Sequence, residues 1–152
     1  MQASEGRSSC DLCPPGHFQN ASGSLACFAC QSGTYSSISG SAECNNCLTR
    51  LSSDNGATSC SLCDKDYFLL DEKTAATPED CDASLCNDVE VECPKGSTLE
   101  TLVLRPGYWR LSNRSRAISA CSGGNATARC KGGSDAGSDG NGYCGELYTG
   151  PE

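Results

Sequence analysis

Fourteen cysteines carry most of the chemistry open to this 152-residue chain. Eight of them form four Cys-x-x-Cys pairs: Cys10/Cys13, Cys27/Cys30, Cys44/Cys47 and Cys60/Cys63. Thiols so spaced support three chemistries. Two pairs separated by a short loop can hold a tetrahedral zinc ion. Cys10/Cys13 with Cys27/Cys30, and Cys44/Cys47 with Cys60/Cys63, would complete two such sets. A single pair can cycle between dithiol and disulfide, but the βαβ context that chemistry requires is absent. Third, cysteines can cross-link loops in an oxidising compartment. Six further cysteines (Cys81, Cys86, Cys93, Cys121, Cys130 and Cys144) have no role in the zinc scheme, which favours disulfides.

Other reactive groups are sparse. His17 is the only histidine, and no nucleophile or orienting group is marked around it, so it reads as an exposed strand residue. Asp135-x-x-x-Asp139-Gly140-Asn141-Gly142 lacks the alternating oxygen ligands and closing Glu of a calcium loop and reads as a flexible segment. No Gly-rich loop runs into Lys-Ser/Thr, as phosphate cradling requires. The expectation is therefore no catalytic residues, no metal, no cofactor and no enzyme activity. Three sequons mark Asn20, Asn113 and Asn125 as candidate glycosylation sites. Arg105, Arg110, Arg114 and Arg116 form a basic stripe. It is a candidate site for an acidic glycan, or for the acidic stretch 64–100 of the same or another chain. The competing reading is a solvated strand face.

The elements that must position these groups cannot rest on a large core. Leu, Ile, Val and Phe number 21, below the roughly 20% of residues at which chains usually stop burying one. Cross-links must supply the order, and a doubly wound sheet or barrel enzyme is improbable. A net charge of -8 argues against nucleic-acid binding. That total hides two opposed patches: residues 64–100 hold 11 acidic and 3 basic residues, whereas 101–134 hold 6 basic and no acidic ones. The longest aliphatic run, Leu102-Val103-Leu104, is far too short for a membrane span. The first ten residues lack the apolar core of a signal peptide, so the chain is either intracellular or a fragment with its signal elsewhere.

The Cys-x-x-Cys pairs recur at steps of 17, 17 and 16 residues. The first two units share a glycine three residues after the pair (Gly16, Gly33), an aromatic two later (Phe18, Tyr35), and a Gly-Ser before the next cysteine (Gly23-Ser24, Gly40-Ser41). The glycine permits a positive-φ turn, and the aromatic then lies on a short strand. The third unit has Leu48-Thr49-Arg50-Leu51 where the turn should be, and the fourth keeps only Tyr67-Phe68. The domain expectation is a disordered segment 1–9, then repeats over 10–63 with units 10–26, 27–43 and 44–59 and the start of a fourth at 60. An acidic connector 64–97 follows, then a hairpin plus incomplete EGF-like, loop-rich segment 98–152. In that last segment Arg105-Pro106-Gly107-Tyr108 fits a type II turn between paired strands Leu102–Leu104 and Tyr108–Leu111, with Trp109 as the largest apolar anchor. The fold class is small and disulfide-rich, mostly loop with short β-hairpins: an elongated array of cysteine-rich modules with little or no helix.

The run C-x-x-C-P-P-G-x-F-x(8)-C-x-x-C-x-x-G-T-Y-S-x(3)-G-S-x-x-C-x-x-C over residues 10–47 resembles the ephrin-receptor-like cysteine-rich repeat, related in style to tumour necrosis factor receptor modules. The likeness degrades over 48–63. It implies extracellular, non-enzymatic, disulfide-bonded repeats, often in stalks of larger membrane proteins. Gly107-Tyr108-Trp109-Arg110, the C-x-G-G at Cys121 and the ending Tyr148-Thr149-Gly150-Pro151 resemble the EGF-like region that follows such repeats in large protist surface proteins. Leu147 replaces the expected Gly, and the next expected cysteine would fall just past Glu152, which suggests a fragment.

Spacing does not fix connectivity. The expectation is a ladder in which the second cysteine of each pair joins the first of the next. It gives Cys13–Cys27, Cys30–Cys44 and Cys47–Cys60, then Cys63–Cys81, Cys86–Cys93 and Cys121–Cys130. Cys10 and Cys144 are left for partners outside the chain. Each of the first three bonds closes a loop of about 14 residues and contributes about 3 kcal/mol by chain entropy. Closure within a pair would leave no ladder. The functional expectation is an extracellular or cell-surface module, a stalk or ligand-contact region of a larger protein. Its partners would be a protein or glycan ligand and neighbouring modules of the same polypeptide, with no nucleic acid, and a membrane only through segments outside this chain. The alternative is an intracellular zinc-stabilised interaction domain.

Overall fold

Backbone pairing in this protein comes in very short pieces, because a turn or a cysteine interrupts every strand. The computed structural model describes residues 12–21, 26–70, 74–86, 89–134 and 141–145. Within them, strands pair two by two in antiparallel hairpins: β1 (His17–Phe18) with β2 (Phe28–Ala29), β3 (Thr34–Tyr35) with β4 (Asn45–Asn46), β5 (Leu51–Ser52) with β6 (Leu62–Cys63), and β7 (Phe68–Leu69) with β8 (Cys81–Asp82). Two more follow, β9 (Val91–Glu92) with β10 (Val103–Leu104) and β11 (Tyr108–Arg110) with β12 (Ile118–Ala120). Among the described residues, helix is confined to α1 (Ala126–Arg129) and 3-10 turns at Pro78–Asp80 and Asn141–Tyr143. The fold is a disulfide-rich set of hairpins with almost no helix.

The Cys-x-x-Cys spacing has a simple origin in this geometry. In the first two hairpins the two intervening residues are the return strand itself, β2 and β4. Extended backbone places residues three apart at about 10 Å, beyond the roughly 7 Å limit for a disulfide. The two thiols of one pair therefore turn to different neighbours. Cys13–Cys27, Cys30–Cys44, Cys47–Cys60 and Cys63–Cys81 are bonded, with Cα–Cα distances of 5.6 to 5.7 Å. Cys86–Cys93 and Cys121–Cys130 close shorter loops of 7 and 9 residues.

Each outgoing strand begins after a tight turn. His17 N–H donates to the Pro14 carbonyl, Thr34 to Gln31, Leu51 to Leu48 and Tyr67 to Asp64, at 2.9–3.2 Å. The third residue of each turn has a left-handed φ: Gly16 at 81°, Gly33 at 83°, Arg50 at 71° and Asp66 at 69°. The hairpin repeat thus continues where its glycine signature is lost, and β1, β3, β5 and β7 keep the same phase. Arg50 and Asp66 each hold a conformation costing about 1 kcal/mol or more for a residue with a Cβ. The cross-links and the hydrogen bond that Asp64 N–H gives the Arg50 carbonyl, 2.8 Å, hold the turn in place.

Contacts divide the chain into two units, residues 1–47 with 53–60, and 48–52 with 61–152. Among its described residues the first unit buries sulfur and hydroxyl rather than aliphatic carbon: Cys13, Cys30, Ser36 and Ser53. Ser36 Oγ lies 2.6 Å from Ser41 Oγ, and Ser53 Oγ donates to the Thr34 carbonyl at 2.8 Å. These partners make burial of the hydroxyls tolerable. The second unit has a small apolar core of Phe68, Val91, Cys93, Leu102, Leu104 and Tyr143.

Two expectations for this second unit are overturned. The turn at 105–108 forms, with Tyr108 N–H on the Arg105 carbonyl at 3.2 Å and Gly107 at φ 98°, but its flanking strands do not pair. β10 pairs with β9 on one edge, and Leu104 exchanges both backbone hydrogen bonds with Gly133 on the other, at 2.9 and 2.8 Å. No edge is left for β11, which pairs with β12 instead. Trp109 is also not the central anchor. It packs half-buried against the core, and Phe68 and Tyr143 occupy the fully buried aromatic positions.

A pair of glycine substitutions tests the turn geometry. A Cβ on Gly16 would run into the Gly56 carbonyl, whereas one on Gly33 meets nothing within 4 Å. Gly33→Ala should therefore cost about 1 kcal/mol, the left-handed penalty alone, and Gly16→Ala at least about 2 kcal/mol. Thermal unfolding of the oxidised variants gives the comparison, and equal losses would contradict the close approach.

Candidate functional site

The four arginines of the basic stripe lie on and around the β11–β12 hairpin, and strand alternation sends them to different environments. Arg110 points inward and is fully buried. Its Nε donates to Tyr143 Oη at 2.8 Å, Nη1 to the Leu99 carbonyl at 2.7 Å, and Nη2 to the Glu100 carbonyl at 3.1 Å. The guanidinium gathers carbonyls from the turn that leads into β10, and those dipoles take over the role of water around the cation. Arg110 is thus corrected from anion-binding surface residue to internal cross-brace. Charge alone gave no sign of this, and the alternation of the strand was its one available signal.

Arg105, Arg114 and Arg116 remain partly exposed, and each meets a carboxylate of the acidic stretch. Arg105 pairs with Glu92 and Arg114 with Glu100, both at 2.6 Å, and Arg116 pairs with Asp82 at 2.9 Å. Arg116 also donates to Ser84 Oγ at 2.9 Å. Three of the arginines therefore pair with carboxylates of the stretch 64–100 of the same chain, one of the two ligand readings the sequence offered, in place of one continuous anion stripe or a merely solvated strand face. Exposed pairs of this kind contribute about 0–1 kcal/mol each. Partial burial pushes the Asp82 carboxyl up, but the Ser84 backbone N–H and hydroxyl and the Arg116 guanidinium outweigh it, leaving its pKa below the ordinary value.

Beside this network lies a solvent-open groove of about 480 Å3, lined by Arg50, Tyr67, Leu70, Glu79, Asp82 and Ser84 among others. The Arg50 guanidinium sits over the Tyr67 ring, 5.6 Å from its centroid. Asp82 and Ser84 join this groove to the arginine stripe expected from sequence, through Arg116. The one available signal was Arg50 standing in the place of the turn glycine.

The remaining candidates are dispersed. Asn20, Asn113 and Asn125 are exposed. Asn113 lies in a turn closed by Ser115 N–H on the Ser112 carbonyl at 3.0 Å, and Asn125 precedes α1 without using its side chain as a cap. Ser22 of the first sequon, Cys10, Asp135, Asp139 and Gly140 lie outside the described residues. Cys144 faces Cys130 across an antiparallel bridge. His17 lies on β1 opposite Ala29. Cysteines assigned to both zinc sets are bonded to one another as disulfides instead, and among the described residues no cluster of His, Cys, Asp and Glu is placed to hold a metal.

Residues 1–47 match the family model described as tyrosine-protein kinase ephrin type A/B receptor-like. That segment is similar to an ephrin-receptor-like cysteine-rich module, and the hairpins β1–β4 and bonds Cys13–Cys27 and Cys30–Cys44 lie within it. The hairpin repeat runs on past the match, through β5–β8. No curated protein matches the chain.

Removing the internal brace should be costly. Arg110→Met, which orphans the Tyr143 hydroxyl and the carbonyls of Leu99 and Glu100, should lose about 3 kcal/mol or more. Tyr143→Phe should lose about 1–2 kcal/mol. Denaturant unfolding with the disulfides intact measures both.

Acid titration probes Asp82. Its folded pKa lies below its unfolded one, so its pairing stabilises fully above the unfolded value and is lost as pH falls through the folded value. Asp82→Asn should cost at most about 1 kcal/mol at pH 7 and flatten the stability loss below about pH 4. An unchanged acid limb in the variant would remove Asp82 from that response.

Proposed function

We propose that this chain is an extracellular, non-catalytic module of a larger cell-surface or secreted protein, serving as a stalk or ligand-contact region. The observation that carries the reading is the ladder Cys13–Cys27, Cys30–Cys44 and Cys47–Cys60 within and beyond an ephrin-receptor-like segment. Such bonds persist in oxidising compartments and are rare in the cytosol. The exposed Asn113 and Asn125 sequons are in accord with it, since N-glycans are added to accessible loops. The non-catalytic reading is supported by His17, which lies on a strand with its Nδ1 3.4 Å from the Pro15 carbonyl and, among the described residues, is hydrogen-bonded to no nucleophile. The partners proposed are a protein or glycan ligand and neighbouring modules of the same polypeptide. A net charge of -8 disfavours nucleic acid, and membrane attachment would come through segments other than these.

Expression through a secretory pathway tests the proposal. A denatured, non-reduced sample should show few titratable thiols, and an N-glycosidase should shift the mass through Asn113 and Asn125. About 8 thiols together with bound zinc would replace the proposal by the intracellular zinc domain.

A further inference from the structure

We propose that the groove over the β7–β8 hairpin is a binding site for a carboxylate-bearing sugar, with Arg50 as its anion anchor. The inference deepens the extracellular-module reading by assigning it a ligand class and a site. It begins from the backbone. Arg50 occupies the turn position where the first two repeats place Gly16 and Gly33, and it keeps their left-handed φ, 71° against 81° and 83°. A long cationic side chain at a position suited to glycine is a local cost, and such costs concentrate at ligand clamps. Arg50 extends over Tyr67 and lines the groove, so this left-handed residue, unlike Asp66 at the equivalent turn, is also part of the cavity wall.

The polar groups around the groove are unequally used. Arg105, Arg114 and Arg116 each face a carboxylate, whereas Arg50 faces only an aromatic ring. Asp82, one of the two acids that line the groove, is held by Arg116 and by Ser84. Among the described residues, the Arg50 guanidinium, the Tyr67 hydroxyl and the Glu79 carboxylate make no hydrogen bond or ion pair with protein. At this distance from the ring the exposed Arg50 guanidinium keeps its N–H edge open, and that edge can grip a carboxylate through two parallel hydrogen bonds.

The rest of the wall narrows the ligand. Glu79 and Asp82 put negative charge on the wall, so a densely sulfated chain would be repelled more strongly than a ligand with one carboxylate and several hydroxyls. Glu79, Tyr67 and Ser84 can take hydroxyls, and Leu70 with the Tyr67 ring offers an apolar surface for the C–H face of a pyranose. The volume, about 480 Å3, suits one or two sugar residues, and the open side suits the end of a longer glycan. A free amino acid would also match one positive and one negative wall. It would leave two charged termini half in water here, and an enclosed pocket serves it better.

Titration of the oxidised, 15N-labelled chain decides the matter. Methyl glucuronide and 3′-sialyllactose are the acidic probes, with lactose and dialanine as controls. Saturable shifts at the amides of Tyr67, Glu79 and Ser84 are expected with at least one acidic sugar, and which one identifies the kind of acid. Lactose should bind at least tenfold more weakly. Arg50→Gly, which restores the residue of the first two repeats, should keep the hairpin amide pattern and lose at least tenfold in affinity. Arg50→Gln serves the same purpose if the glycine variant folds poorly. Absence of saturation with both acids, equal binding of lactose, tighter binding of dialanine, or unchanged affinity on losing Arg50 would each overturn the proposal. The thiol count of the secreted chain is independent of all these outcomes, so failure here leaves the extracellular reading standing on its own test.

Discussion

The tie between the second cysteine of one pair and the first cysteine of the next is the constraint from which the rest follows. With two residues between the cysteines of a pair, a single extended segment carries one thiol toward the preceding loop and one toward the following loop. Each bond closes a loop of 13 to 18 residues along the four-hairpin series, and within that loop the chain has room for little more than a turn and a two-residue strand. Strands this short would not persist on backbone hydrogen bonds alone. Covalent closure of the unfolded chain supplies what the missing aliphatic core cannot.

Polar side chains fill the interior positions that such a frame leaves. In the first unit Ser36 and Ser53 are buried because each finds a backbone or hydroxyl partner next to a turn. In the second, Arg110 and Tyr143 extend the apolar cluster with a hydrogen-bonded pair whose polar ends meet inside it. The carboxylates of residues 64–100 and the arginines of 101–134 then meet at the surface through Glu92, Glu100 and Asp82. The charge segregation of the sequence is thus in part an internal complement, in which Arg50 has no carboxylate partner among the described residues.

Much of the frame was legible in sequence because cysteine spacing and turn glycines act locally. The phase of the hairpins follows from Gly16, Gly33 and the aromatics after them, and the disulfide pairs follow from a rule that needs only neighbours. What escaped was set by distant partners. Nothing near Leu102–Leu104 announces that Gly133 takes the free edge of β10, so the turn at 105–108 misleads about which strands pair. Burial of Arg110 depends on Tyr143, 33 residues further on. Arg50 and Asp66 escaped for a different reason: the covalent frame can impose a backbone conformation that residue type argues against. Motif decay is therefore a poor measure of structural decay in this chain.

The ladder also dictates how the chain responds to tension. A pull applied between Cys13 and Cys60 crosses each hairpin through sulfur, so the load path holds only the three bridges and the short spacers 27–30 and 44–47. Fully reduced, that stretch could be drawn out to roughly 160 Å. Oxidised, it reaches its limit at roughly 40 Å, with the turns and their side chains outside the path of the force. Its surfaces would keep their form under a load that straightens an ordinary linker, and release of that slack would require chemistry rather than force.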